Sequence, residues 1–162
     1  MAFECVTITA AVPEHQAPKV VRFPSDVEHL YRDGSEGLLS GRSRRNWFQY
    51  MMETVIGHYR IDNLSYFSSQ ATCLSPDECS RVAESLENLL TSWRMDPGVL
   101  IELSGQTAYS TEELSTALCE AIDVNSDDGD DILYFIGYVR AHSQFLQNAA
   151  AQKLHVVYVQ YS

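Results

Sequence analysis

The acidic stretch from Asp123 to Asp131 comes closest, of all parts of the chain, to the ligand set of a known kind of site. Its first five residues match the first five positions of a calcium-binding loop. The sixth position needs glycine for a sharp turn, but Asp128 stands there and Gly129 follows one place late. The twelfth position should carry a bidentate glutamate, and it is Tyr134. The incomplete ligand set predicts that calcium does not bind, and we expect no metal and no cofactor.

The same carboxylates stand at the entrance of a predicted helix that runs from Ile132 to Gln152. Negative side chains are favourable there because they face the positive end of the helix dipole. In a solvent-facing turn they can also reach Arg and Lys side chains of another protein without disturbing the core. We therefore predict that a partner binds at four aspartates: Asp127, Asp128, Asp130 and Asp131.

Trp47, His58 and His142 are the residues that could line a pocket for a small ligand or an acid–base reaction. Trp47 opens an apolar predicted helix, His58 follows near its end, and His142 lies on the apolar stripe of the last helix. No carboxylate or nucleophile stands at helical spacing from His142, so a core histidine is the simpler interpretation. The nucleophile elbow, the phosphate-binding loop and the zinc-protease motif are all missing from the sequence. We assign no catalytic residue and keep a small enzyme or ligand-binding domain as the alternative function.

The chain carries 11 Lys and Arg against 22 Asp and Glu, which gives a net charge of −11. Such a field repels nucleic acid and anionic lipid and attracts basic surfaces. Arg42, Arg44 and Arg45 could hold a phosphate or a stacked base, but nucleic-acid binding needs a segregated basic face. The charge predicts a basic protein partner, and neither nucleic acid nor membrane. Simple solubility is the alternative explanation.

The four cysteines form no CxxC pair, and the five histidines are scattered, so zinc-ligand spacing is absent. The N-terminus lacks the basic and apolar segments of a secretion signal, and no run of 18 apolar residues could span a membrane. We therefore expect a cytoplasmic protein with reduced thiols. Cys79 and Cys119 fall on the apolar faces of predicted helices, which predicts that both are buried.

Three capping boxes, each a serine followed three residues later by glutamate, predict helix starts at Ser25, Ser75 and Ser110. The first box predicts a short helix to about Arg32, and the third a helix to about Ile122. The second box opens the clearest helix, in which seven side chains share one apolar stripe: Cys79, Val82, Ala83, Leu86, Leu89, Leu90 and Trp93.

Strands are predicted at both ends of the chain, over Phe3–Val12 and Leu154–Tyr161. Leu64–Phe67 reads as a short strand or a buried loop, Val99–Leu103 as a strand or a packed loop, and residues 34–41 as a glycine-rich loop. A chain of 162 residues without internal repeats is most simply one domain. We predict a single α+β domain over 1–162, with about five helices and a small sheet that includes the N- and C-terminal strands.

Two segments of the chain resemble the YfbM-like family of small bacterial proteins. Residues 74–86, which read LSPDECSRVAESL, are similar to the "LSPEE…VAEAL" helix start of that family. Residues 134–159 resemble its closing helix and strand, and Trp47 corresponds to a tryptophan-containing helix. The resemblance implies a compact α+β fold and supplies no catalytic residue. Similar small acidic proteins serve as immunity or interaction partners in bacterial competition systems.

The charge, the missing catalytic motifs and the resemblance lead to one functional prediction. We predict a non-enzymatic acidic binding protein of bacterial type, an immunity or inhibitor protein that neutralises a basic partner.

Overall fold

A four-stranded antiparallel sheet covered by α-helices makes up the fold in a computed structural model. The structure describes residues 4–30, 38–44, 47–69, 71–120 and 132–161. Within these ranges the strands are β1 (Glu4–Val12), β2 (Leu38–Arg44), β3 (Ala71–Leu74) and β4 (His155–Tyr161). The helices are α1 (Trp47–Tyr59), α2 (Pro76–Met95), α3 (Gly98–Ser104), α4 (Thr111–Cys119) and α5 (Ile132–Ala151). The predicted α+β class, with the terminal strands in one sheet, is confirmed.

The strand order is β2-β1-β4-β3, so the first and last strands of the chain lie side by side. Val12 pairs with His155 at one end of this ladder, and Val6 pairs with Tyr161 at the other. The residues of β4 from Val156 to Val159 are at most 1% exposed. Because successive side chains of a strand point to opposite faces, β4 must be covered on both sides. The helices cover one face, and residues 13–30 cover the other.

Helix α5 lies at the centre of the core. Phe135, Ile136, Val139 and Leu146 are all 0% exposed. The Phe135 ring lies 6.1 Å from that of Trp47, 5.6 Å from that of Phe48 and 5.8 Å from that of Trp93. This aromatic cluster joins α5 to α1 and α2.

The capping boxes at Ser75 and Ser110 form as predicted. Each serine Oγ accepts the backbone N–H of the glutamate three residues on, and each glutamate accepts the serine N–H in return. The box at Ser25 does not form, and 3₁₀ turns over Pro24–Asp26 and Glu28–Leu30 replace the predicted helix. The reason is local, since the Asp26 carboxylate accepts the backbone N–H groups of Arg22 and Phe23.

Three further expectations are corrected by the structure. Val99–Leu103 belongs to α3, which ends where Gly105 adopts a φ of 68° and donates its N–H to the Ile101 carbonyl. Gly41 lies in β2 opposite Thr7, so this part of the predicted glycine loop is a strand. Cys79 is buried, but Cys119 is exposed because it is the last residue of α4.

The segment that reads as a short strand or a buried loop is a buried 3₁₀ helix. It runs from Asp62 to Ser68, and both Leu64 and Phe67 are 0% exposed. The apolar pattern therefore predicted the burial of these residues but not their backbone conformation.

Candidate functional site

The four aspartates predicted to bind a partner, Asp127, Asp128, Asp130 and Asp131, lie outside the described residues. The partial calcium loop from Asp123 to Asp131 lies outside them too. The partner-binding role of the four aspartates and the lack of calcium binding therefore remain predictions from the sequence. Within the described ranges, no group of three or more His, Cys, Asp and Glu side chains could hold a metal ion.

Trp47, His58 and His142 occupy different environments. Trp47 is half-buried and packs edge-on against Phe135, whereas His58 is exposed and packs against its neighbour Tyr59. His142 is 0% exposed and lies seven residues beyond Phe135 along α5, which is about two helical turns. None of the three residues lines either of the two clefts described below.

His142 belongs to a buried polar layer between α5 and β1. Its Nε2 lies 3.5 Å from the Thr9 hydroxyl, and one turn earlier Tyr138 hydrogen-bonds the Thr7 hydroxyl. Complete burial lowers the pKa of His142 to about 3, so the ring is neutral near pH 7. The interpretation of His142 as a core histidine is confirmed by its burial.

A large cleft among the described residues is acidic. It has a volume of about 1030 Å³ and lies between the first half of α2, the end of α5 and the start of β4. Four carboxylates line it: Glu14, Asp77, Glu84 and Glu87. Among the described residues, Lys153 is the only Lys or Arg in its lining. Pro76, Ala83, Ala150 and Ala151 form its apolar lining, which we call the floor. We call this region, defined by the four carboxylates, the acidic cleft.

Glu87 is fixed in the acidic cleft by hydrogen bonds from α5. Its Oε1 accepts the Ser143 hydroxyl at 2.7 Å and the Gln147 amide at 3.3 Å. Gln147 also donates to the Ser143 hydroxyl at 3.0 Å. The three side chains join α2 to α5 and leave Oε2 of Glu87 as the oxygen that can accept from a ligand.

The other three carboxylates stand at the rim of the cleft. Glu14, Asp77 and Glu84 are exposed, and in the described part of the chain none of their side chains forms a hydrogen bond or an ion pair. A carboxylate accepts hydrogen bonds only, and it prefers charged donors such as guanidinium and ammonium groups. The rim is therefore suited to cationic groups.

Lys153 lines the same cleft because of the way α5 ends. The backbone φ of Lys153 is 57°. Its N–H donates a hydrogen bond to the Ala150 carbonyl, and the Leu154 N–H donates one to the Ala149 carbonyl. This pair of bonds is a Schellman motif, in which glycine is the usual residue at the left-handed position. Lysine therefore occupies a strained backbone position at the edge of the acidic cleft.

A second, smaller cleft of about 480 Å³ is also lined by the first turn of α2. It shares Ser75 and Asp77 with the acidic cleft, and Asn63 contributes to its wall. The Asn63 amide is already committed, since it donates to Arg81 O at 3.2 Å and to Ser85 Oγ at 2.9 Å. The acidic cleft is thus the stronger candidate, because it is larger and because Glu14, Asp77 and Glu84 have no side-chain partner among the residues that the structure describes.

The sequence analysis missed the acidic cleft, although part of its signal was present. Asp77, Glu84 and Glu87 recur at seven- and three-residue spacing, which places them on one face of α2 beside the apolar stripe. The spacing of one helix, however, does not say which other helix or turn lies against that face. Glu14 and Lys153 join the cleft only through the tertiary fold.

No protein-family model matches the chain, and comparisons with curated proteins and with solved structures found no match either. The resemblance to the YfbM-like family therefore remains a prediction that rests on residues 74–86 and 134–159. None of the described helices is long and apolar enough to cross a membrane.

Proposed function

We propose that this chain is a non-enzymatic, cytoplasmic binding protein that recognises cationic side chains of a basic protein partner through the acidic cleft. The observation that carries the proposal is the cleft itself, in which Glu14, Asp77, Glu84 and Glu87 face one space of about 1030 Å³. The net charge of −11 would draw a basic partner toward this surface. An immunity or inhibitor protein that neutralises a basic partner would work in this way.

Two features of the cleft favour specific binding over a general attraction between opposite charges. Glu87 is held by Ser143 and Gln147, so its free oxygen is fixed before a ligand arrives. The alanines of the floor can take the aliphatic stem of an Arg or Lys side chain while the rim carboxylates bind its charged end. A surface that was charged only for solubility would need neither feature.

The proposal is tested by titrating the protein with a short oligo-arginine peptide at two salt concentrations. The double variant Glu14→Gln, Glu84→Gln should bind the peptide about two- to thirtyfold more weakly, since each exposed ion pair contributes about 0.2–1 kcal/mol. Its binding should also depend less on salt. The matched control is Glu53→Gln, Glu102→Gln, which removes two exposed carboxylates outside the cleft and gives the same net charge. The control should bind like the wild type.

Equal weakening by the cleft variant and by the control would show that only the overall charge matters, and the proposal would then fail. A third variant, with Asp127, Asp128, Asp130 and Asp131 changed to Asn, tests the binding site predicted from the sequence. If that variant alone slows association with the peptide, the binding site is the group of four aspartates rather than the cleft.

A further inference from the structure

Residues Lys19 to Phe23 form an exposed apolar and basic surface on an otherwise acidic chain. Val20 is 65% exposed and Phe23 is 59% exposed, which places both among the four large hydrophobic side chains exposed in the described residues. Lys19 and Arg22 are exposed beside them. Single exposed hydrophobic residues are ordinary, but here two of them stand three residues apart in the chain, each next to a cationic residue. We call Lys19, Val20, Arg22 and Phe23 the basic ledge.

The basic ledge is held in place by its neighbours. Val21 packs inward on the apolar cluster that includes Val157. The Asp26 carboxylate accepts the backbone N–H of Arg22 at 3.1 Å and that of Phe23 at 3.0 Å. These hydrogen bonds, with the one from Arg22 foremost, hold the pKa of Asp26 below its usual value. A ledge that is already ordered loses less entropy when it binds than a flexible loop would.

A surface that covers the ledge must offer carboxylates next to apolar side chains. The acidic cleft offers both, with Glu14 and Glu84 at its rim and Ala150 on its floor. Its volume of about 1030 Å³ is at the upper end of the range for ligand pockets, so it can hold several side chains of a short segment. Glu14 lies only five residues before Lys19, so ledge and cleft are close in the chain.

We propose that the basic ledge of one copy docks in the acidic cleft of a second copy of this chain. In a dimer with a twofold axis, the ledge of each copy then binds in the cleft of the other, which makes the interface isologous. The inference rests on the proposed function to the extent that the cleft must accept cationic side chains.

The test reverses the charges of the ledge and of the cleft in separate variants. Dimerisation is measured by sedimentation equilibrium over a range of protein concentrations. The wild type should form dimers. The ledge variant Lys19→Glu, Arg22→Glu should dissociate about tenfold more readily or more, because each attraction becomes a repulsion, and so should the cleft variant Glu14→Lys, Glu84→Lys. A mixture of the two variants should dimerise again, since every acidic ledge then meets a basic cleft and every basic ledge an acidic one.

Two matched controls separate this contact from general effects. Glu53→Lys, Glu102→Lys makes the same change of charge on exposed residues outside the cleft, and it should neither prevent dimerisation nor restore it to the ledge variant. Phe23→Ser should weaken the dimer, whereas Met95→Ser, which removes a side chain that is 83% exposed elsewhere, should not.

A wild type that stays monomeric at every accessible concentration would overturn the inference, and so would a mixture that fails to dimerise. Binding of the oligo-arginine peptide, measured on the same samples, distinguishes the two proposals. Peptide binding through the cleft of a monomeric protein leaves the proposed function standing and removes only the dimer. Dimers that form as predicted, together with no peptide binding at protein concentrations low enough to keep the chain monomeric, remove the foreign partner instead. Sedimentation of the monomer with vesicles of anionic phospholipid, lost in Phe23→Ser, would assign the ledge to a membrane and overturn the dimer.

Discussion

Replacing Phe135 by alanine is the perturbation that most directly probes the core around α5. The side chain is 0% exposed, and its ring contacts those of Trp47, Phe48 and Trp93. Truncating a buried phenylalanine typically costs about 3–5 kcal/mol. Three aromatic contacts, each worth about 0.5–1.5 kcal/mol beyond the buried area, place the expected loss in the upper part of that range.

Such a loss is a large share of a typical domain stability of about 5–15 kcal/mol. At about 2–4 °C per kcal/mol for a chain of this size, a loss of about 4–5 kcal/mol should lower the melting temperature by about 8–20 °C. Urea unfolding monitored by circular dichroism should show an earlier midpoint with an unchanged slope. The matched control is Tyr50→Ala on α1, because Tyr50 is 63% exposed and its loss should change stability by no more than about 0.5 kcal/mol. A loss below about 1 kcal/mol at Phe135 would refute the placement of the apolar face of α5.

Three further predictions concern the end of α5, its buried histidine and calcium. Lys153→Gly should raise the free energy of unfolding by about 1 kcal/mol, because glycine relieves the left-handed backbone, whereas Lys153→Met should not raise it. Both variants should bind the oligo-arginine peptide more tightly. Calorimetry in which Lys153→Gly changes neither stability nor peptide binding would contradict the account. Because the pKa of His142 is lowered from 6.5 to about 3 in the fold, its stabilising contribution is complete above pH 6.5 and is lost as the pH falls toward 3. The stability difference between wild type and His142→Gln should therefore shrink by up to about 1.4 kcal/mol per pH unit in that window, and a difference independent of pH would refute a neutral buried ring. Titration calorimetry with calcium should give no stoichiometric site at micromolar concentration, and a site at Asp123–Asp131 would reverse that prediction.

Much of the fold could be predicted from the sequence because its signals are local. The capping boxes at Ser75 and Ser110 depend on residues three apart, and they form as expected. The burial of Phe135 and Leu146 follows from helical periodicity alone. The predicted helix at Ser25 was wrong because Asp26, which the same motif contains, is used by backbone groups upstream.

The functional site was harder to predict because its parts are distant in the chain. Glu14 opens a 3₁₀ turn after β1, Glu84 lies on α2, and Lys153 follows α5, yet all three line one cleft. The sequence drew attention to consecutive aspartates at residues 127–131, since adjacent charges are visible without a fold. Carboxylates that converge from separate elements become visible only when the packing of α2 against α5 is known.

The central claim, that the acidic cleft binds cationic side chains, is tested most directly by mapping the residues to which a basic peptide binds. The measurement is a titration of isotope-labelled protein with the oligo-arginine peptide, followed through the backbone amide signals in two-dimensional NMR spectra. Saturable shifts concentrated in residues 75–87 and 147–155, the two segments that supply most of the cleft lining, are the predicted result. Shifts confined to residues 121–131, or spread evenly over the acidic surface without saturation, would contradict it.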